Sequence, residues 1–229
     1  MFAGPGSAAY GFDPRELSGL ADWLKGDAGI VLDSNLNVQR WIDQSGNGFD
    51  ATQATAGSRP SYNASDATWA GKPSLGFTGT QYLRNTSINL PQPTTMVVFC
   101  STPAALGTSW NIVDGVTSRQ LLQLNANGDW NMYAGSQQNS SLTQHGVCAV
   151  VANFNGASSA IFVNSSTING SPGNVGTNAL TGLDIGSSGG TFGLVGSVAE
   201  VLVYSRTLSP AEVSAVLGYG RNRYGQPWS

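Results

Sequence analysis

The feature that most constrains this chain is a series of short apolar or alternating runs separated by turns rich in Gly, Asn and Ser. Thr95 to Ser101, Val147 to Asn155 and Val195 to Tyr204 are the clearest runs, and Asn127-Gly128 and Asn155-Gly156 are typical of hairpin turns. Short strands at such regular spacing predict an all-β sandwich or barrel.

One segment near the C-terminus departs from this pattern and predicts a helix. Ser209 is a good N-cap, Pro210 suits the first helical position, and Glu212 completes a capping box. Val213 and Val216 would then share one apolar face. We expect this short helix to pack on the edge of the sandwich.

Composition limits the number of domains, and it argues against nucleic acid and a membrane as partners. The 229 residues suit one large β domain, which we place at residues 12–229 after an extended, Gly-rich arm at residues 1–11. The net charge is −3, and the ten Lys and Arg residues are spread along the chain. Nucleic-acid binding is therefore not expected, because it needs a basic surface. No apolar run approaches the ~18 residues of a membrane span.

Four segments carry a family resemblance. In chain order they are FDPRELSGLADWLKGDAG, WIDQSGNGFDATQ, GKPSLGF and VAEVLVYSRTLSPAEVSAVLGYGRNRYG. They resemble the laminin-G-like, concanavalin-A-like lectin domains found in bacteriophage virion and bacterial surface proteins. The resemblance extends from Phe12 to Gly225. It implies a two-sheet antiparallel jelly-roll sandwich in which binding is typical and catalysis is uncommon.

The resemblance, together with the composition, sets the functional expectation. We expect a non-enzymatic virion surface protein, a capsid-decoration or tail component, that attaches to glycans or to other virion proteins. We expect it to be made in the host cytoplasm, because the first ten residues lack a signal-peptide pattern. A homo-oligomer is expected, with a trimer favoured. The alternatives are a secreted or cell-surface glycan-binding adhesin and a diverged glycoside hydrolase.

The spacing of the acidic residues along the chain argues against hydrolase chemistry. A retaining glycosidase needs two carboxyls roughly 5–5.5 Å apart, yet no two of the thirteen acids are separated by two or four positions. Acids from different strands can still meet. Gly186, Ser188 and Gly190 spell G-x-S-x-G, but no helix pattern follows, as a nucleophile elbow requires. We therefore expect no catalytic residues.

Four aromatic residues are the candidate ligand-binding residues: Trp69, Trp110, Trp130 and Tyr133. They lie near turns rich in Asn, Gln and Ser. Flat apolar surface combined with a few polar groups is typical of ligand sites. The competing interpretation is that they anchor the core, as large aromatic residues commonly do.

The polar loop after Trp41 is the candidate metal site. Asp43, Asn47 and Asp50 could supply oxygen ligands to calcium, although Ala54 stands where an EF-hand requires Glu. The alternative, which we favour, is a structural loop closed by its own hydrogen bonds. No other cofactor is expected.

Two further expectations concern pairing. Cys100 and Cys148 lie in apolar runs and are expected to be buried free thiols. The runs Lys72 to Phe77 and Gln81 to Leu83 are expected to form a hairpin through residues 78–80.

Overall fold

A computed structural model describes residues 11–103, 107–167, 170 and 172–229. These residues form two antiparallel sheets and one C-terminal α-helix, with loops and short turns between them. This architecture confirms the predicted jelly-roll sandwich. The predicted N-terminal arm, apart from Gly11, lies outside the described residues. Among the described residues, no helix has the length and apolar character needed to span a bilayer.

The strands divide between a seven-stranded and a nine-stranded sheet. In chain order they are β1 (Leu20–Lys25), β2 (Ile30–Leu32), β3 (Val38–Trp41), β4 (Ala51–Thr52), β5 (Ser61–Asp66), β6 (Lys72–Thr78), β7 (Leu83–Leu90), β8 (Thr94–Thr102), β9 (Trp110–Asp114), β10 (Leu121–Leu124), β11 (Trp130–Tyr133), β12 (Gln137–Asn139), β13 (Gly146–Phe154), β14 (Ala160–Val163), β15 (Leu180–Ile185) and β16 (Val195–Tyr204). The seven-stranded sheet has the order β14-β13-β8-β16-β6-β5, with β1 also paired to β16. The nine-stranded sheet has the order β12-β11-β10-β9-β15-β7-β4-β3-β2.

The main core lies between the two sheets. Met96 and Val150 of the seven-stranded sheet and Leu122 and Trp130 of the nine-stranded sheet belong to one buried cluster. Burying each such side chain contributes about 1.5–3 kcal/mol. The side chains that alternate with them point to the outer faces of the sheets.

The helix α1 (Pro210–Tyr224) begins with the predicted capping box. Ser209 Oγ accepts from Glu212 N at 3.4 Å, and a Glu212 carboxylate oxygen accepts from Ser209 N at 2.8 Å. Val213 and Val216 pack on the outer face of the seven-stranded sheet, in a second buried cluster with Phe99. The expected packing on the sheet edge is therefore wrong, because the helix needs a broad apolar surface to bury its own.

A buried carboxylate ties this helix to the sheet. Glu200 on β16 accepts hydrogen bonds from Trp23 Nε1, from Tyr219 Oη at 2.9 Å and from Tyr224 Oη at 2.5 Å. Arg223 Nε lies 3.4 Å from the same carboxylate. Burial raises the pKa of Glu200 despite these partners. All of its neighbours are supplied by β1 and by the end of α1, so the contact fixes the helix position.

Two of the predicted hairpins are confirmed and one is wrong. Asn127-Gly128 connects β10 to β11, and Asn155-Gly156 connects β13 to β14. The run Lys72 to Phe77 belongs to β6 in one sheet, whereas β7 belongs to the other. Gly79 N bonds Leu194 O at 2.9 Å, so this segment crosses between the sheets. Local alternation cannot distinguish a crossing from a hairpin.

The two cysteines are buried free thiols, as predicted. Cys100 on β8 lies directly opposite Cys148 on β13. Burial raises the pKa of both thiols, that of Cys148 to about 11. Thiols held in this neutral form are weak nucleophiles.

Candidate functional site

A cavity of about 320 Å³ opens on the outer face of the nine-stranded sheet. Its volume lies at the low end of the range for small-molecule sites, roughly 300–1,000 Å³. The residues that line it come from β9, β10, β11, β12 and three adjoining loops. They are Ser109, Asn111, Arg119, Leu121, Gln123, Tyr133, Gln137 and Phe192.

Strand register aligns a row of amide side chains on this face of the sheet, and two of them, Asn111 and Gln123, line the cavity. Asn111 on β9 lies opposite Gln123 on β10, and Gln123 lies opposite Asn131 on β11. Asn131 in turn lies opposite Asn139 on β12. Directly opposed residues share a face of the sheet, so we call these four residues the amide row. Neighbouring members stand about 4.8 Å apart, the strand spacing.

Part of the amide row is buried without hydrogen-bond partners. Asn111 is 1% exposed, and neither its Oδ1 nor its Nδ2 has a partner among the residues that the structure describes. Asn131 Oδ1 is also buried and unpartnered. Buried side-chain polar atoms are nearly always satisfied in folded proteins. Among the described residues, the side chains of Asn111 and Asn131 therefore retain unused hydrogen-bonding capacity.

Aromatic side chains and one ion pair form the walls. The guanidinium of Arg119 lies over the Tyr133 ring at 5.5 Å from its centre. Arg119 also holds Asp114 through Nε at 3.0 Å and Nη2 at 2.6 Å. Phe192, at the rim, is 62% exposed. The cavity thus offers apolar ring surface beside amide groups.

Acids from different strands do meet beside this cavity. Asp114 on β9 lies opposite Asp184 on β15. Arg84 holds Asp184 with two hydrogen bonds of 2.7 Å, as Arg119 holds Asp114. Burial raises the pKa of Asp114. Both carboxyl groups are sealed from solvent by their arginines, with exposures of 0% for Asp114 and 2% for Asp184. Neither is presented to a substrate as a retaining hydrolase would require.

Of the four predicted aromatic residues, only Tyr133 lines the cavity. Trp69 is fully buried beneath α1, where its ring packs against Tyr224 with 5.2 Å between centres. Trp130 is fully buried between the sheets, and its Nε1 bonds Gln144 O at 3.0 Å. Trp110 is 5% exposed and lies opposite the core residue Leu124. These three positions correct the prediction, because none of the three rings lines the cavity.

The predicted metal residues do come together, but their polar groups are used within the loop. Asp43 accepts from Ser45 N at 2.7 Å, from Gly48 N at 2.9 Å and from Trp23 N at 3.0 Å. Burial raises its pKa, but these hydrogen bonds outweigh burial, and the net pKa lies below the ordinary value. Asn47 Nδ2 bonds Ala21 O at 2.9 Å.

Asp50 completes the loop, since one of its oxygens accepts from Asp43 N at 2.9 Å and the other pairs with Arg40. Among the described residues, no three His, Cys, Asp or Glu side chains are grouped to hold a metal ion. The loop is closed by its own hydrogen bonds.

Beside this loop lies a carboxyl group that sequence reasoning missed. Asp22 on β1 is fully buried, and neither oxygen has a partner. Burial, followed by the charge of the neighbouring Asp43, raises its pKa well above the ordinary value. Folding therefore favours the neutral acid, whose O–H can donate to the Asp43 carboxylate.

The sequence itself has no detectable relatives among characterised families. No protein-family model matches the chain, and no curated protein sequence matches it. Solved structures do match its fold. Domain 4 of AbnA, a GH43 extracellular arabinanase from Geobacillus stearothermophilus, in complex with arabinotriose, has a TM-score of 0.61 at 13% identity. That alignment covers 87% of this chain and 98% of the domain.

A second match is larger than this chain. Trypanosoma rangeli sialidase, in complex with the inhibitor DANA, has a TM-score of 0.60 at 16% identity. The alignment covers 88% of this chain and 33% of the sialidase. The chain thus spans a third of the sialidase's length. These likenesses establish a concanavalin-like β-sandwich fold.

Proposed function

We propose that this protein is a non-enzymatic glycan-binding module and that the cavity over the amide row is its binding site. The observation that carries the proposal is the buried amide of Asn111, which has no partner among the described residues and lines the same cavity as the Tyr133 ring. Sugars present hydroxyl groups around a ring with apolar C–H faces. Amide groups next to an aromatic ring match both features.

The arabinanase domain gives independent support. It has the same fold and nearly the same length as this chain, and it is in complex with arabinotriose. A sandwich of this fold and size is therefore compatible with oligosaccharide binding.

The test compares two tyrosines in equivalent surroundings. Tyr133 and Tyr82 each lie under an arginine that holds a buried aspartate, but only Tyr133 lines the cavity. On a glycan array followed by calorimetry, Tyr133→Ala should weaken binding by about 1 kcal/mol, roughly fivefold. Tyr82→Ala should bind like the wild type. Equal losses in the two variants, or no glycan binding at all, would contradict the proposal.

The enzymatic alternative has its own test. Because Asp114 and Asp184 are held by arginines, we expect no release of reducing ends from any polysaccharide that the protein binds. Sustained release that is lost in Asp114→Asn would instead favour the diverged hydrolase.

The biological setting rests on the sequence resemblance alone. On that basis we place the module on a virion surface, as a capsid-decoration or tail component in homo-oligomeric form, with a cell-surface adhesin as the second candidate. Mass spectrometry of purified particles tests the setting, and light scattering of the purified protein tests the oligomer. Absence from particles would favour the adhesin.

A further inference from the structure

We propose that the cavity takes an uncharged glycan and that the Asn111 amide recognises two adjacent hydroxyl groups of one sugar ring. This inference rests on the glycan binding proposed above and narrows it to one class of sugar. It is carried by the charges of the cavity wall and by the state of the Asn111 side chain.

The one positive charge in the lining of the cavity is already paired with a carboxylate. Arg119 is the only charged residue among those that line it. Its Nε and Nη2 are both committed to Asp114, and the pair is formally neutral. Carboxylates of sugar acids are best held by a guanidinium whose paired N–H groups are free. Bringing such a carboxylate here would also place it near the buried Asp114, at an electrostatic cost.

The amide groups suit hydroxyl groups instead. An Asn side chain accepts through Oδ1 and donates through Nδ2, and a hydroxyl group can do either. One amide can therefore donate to one hydroxyl and accept from the next one on the ring. Gln123, the neighbour of Asn111 in the amide row, also lines the cavity and repeats this capacity one strand away.

The state of Asn111 singles it out within the row. Both of its amide atoms are buried and lack a partner among the described residues, a state that costs free energy in the isolated protein. A sugar that supplies both partners recovers that cost on binding. In the free protein the Asn111 side chain makes no hydrogen bond to the described residues, so it need not contribute to stability.

The competing explanation is an ordered water that satisfies Asn111 without any ligand role. Buried waters commonly bond otherwise unsatisfied groups. In that case Asn111 would contribute to stability and its loss would leave sugar binding unchanged. The two explanations therefore differ in which measurement responds to substitution.

The experiment compares neutral with acidic sugars and the wild type with a variant of Asn111. Calorimetry on the whole protein uses matched neutral and acidic probes, namely lactose with sialyllactose and galactan with polygalacturonate. We expect measurable affinity for a neutral member and at least about tenfold weaker affinity for its acidic partner. Asn111→Leu, which keeps the size but removes the amide, should lose at least about tenfold in affinity for that neutral probe. Its melting temperature should stay the same or rise, because no hydrogen bond is removed.

Asn85 provides the matched control. It is also a buried Asn of the nine-stranded sheet, but its side chain bonds Asp50 O, Ser87 N and Ile88 N at 2.7–3.0 Å. Asn85→Leu should lower the melting temperature and leave the affinity of the folded protein unchanged. This pattern is the reverse of that expected for Asn111→Leu.

Two outcomes overturn the inference while glycan binding stands. One is a preference for the acidic member of a pair. The other is an Asn111→Leu variant that binds like the wild type and melts at a lower temperature, which would assign the amide to a structural water. If the wild type binds none of the probes and no glycan on the array, the proposed function fails together with this inference.

Discussion

Glu200 and Asn111 are both buried polar side chains, one on each sheet, and they differ in what surrounds them. Glu200 is 0% exposed under α1 and has partners on Trp23, Tyr219, Tyr224 and Arg223. Asn111 is 1% exposed beneath the cavity and has none for its side chain. The first belongs to a face covered by the protein's own helix. The second belongs to a face that the protein leaves open.

This difference in hydrogen-bond partners determines what each group contributes to the folded protein. A buried polar group with all its partners fixes the arrangement of the elements around it, whereas one without partners only costs free energy in the isolated protein. Such a cost is expected beside a ligand cavity and is unusual elsewhere. The position of each group and the presence or absence of its partners therefore assign the helix side to folding and support the recognition role proposed for the amide row.

The largest expected effect comes from removing the satisfied group. Glu200→Ala should lower the free energy of unfolding by about 3–5 kcal/mol, because the buried donors of Trp23, Tyr219 and Tyr224 lose their acceptor. The change also removes one of the two carboxylates next to Arg223, which keeps its ion pair with Asp27. Urea denaturation measures this loss. Glu16→Ala, at an exposed carboxylate, should cost less than about 1 kcal/mol. A Glu200→Ala loss as small as this control would remove the contrast with Asn111.

Asp43 extends the comparison to a third site, where a loop replaces the helix as the source of partners. Asp43→Ala should cost about 2–4 kcal/mol, since its carboxylate accepts several backbone N–H groups that would lose their partner. Glycan affinity, measured below the melting temperature, should be unchanged. A change in affinity with no change in stability would show that the loop serves binding.

Asp22 adds a buried carboxyl group away from the cavity, and its nearest charged neighbour is the Asp43 carboxylate rather than a cation. Its folded-state pKa is raised, so its stabilising contribution is complete below the unfolded pKa of 3.8 and is lost as pH rises through the folded value. Asp22→Asn should therefore gain about 1–2 kcal/mol over the wild type at pH 8 and little near pH 4. Urea titrations at the two pH values measure this difference. A gain that is the same at both would refute the assignment of a proton to Asp22.

Calcium should have the smallest effect. Melting scans with calcium and with chelator should coincide, because the oxygens of Asp43 and Asp50 already accept hydrogen bonds or pair with Arg40. A calcium-dependent rise in melting temperature that disappears in Asp43→Ala would restore the metal interpretation.

Much of the fold follows from local patterns in the sequence. The capping box at Ser209 and the turns at Asn127-Gly128 and Asn155-Gly156 are decided by residues close in the chain. Which strands become neighbours is not decided locally, as the separation of β6 and β7 into different sheets demonstrates. The packing of α1 on a sheet face likewise depends on distant strands.

The site was only partly predictable for the same reason. The amide row joins residues from separate strands, and its alignment depends on register. One signal was nevertheless present in the sequence. Side chains alternate along a strand, so Trp130 and Tyr133, three positions apart, must face opposite sides. Tyr133 shares its side with Asn131, and this parity distinguishes the binding ring from the core ring.

The helix and the cavity occupy opposite outer faces of the sandwich. Phe12 packs near the helix side, with its ring 6.3 Å from that of Tyr219. If a carrier bound each copy of the protein through the helix side, every cavity would point away from the carrier. Copies arrayed in this way would meet a polymer of repeating sugars at many points simultaneously, and linked sites can gain roughly 10²–10⁴ in apparent affinity without any new contact. Weak binding in a single cavity would then be enough for firm, reversible adhesion.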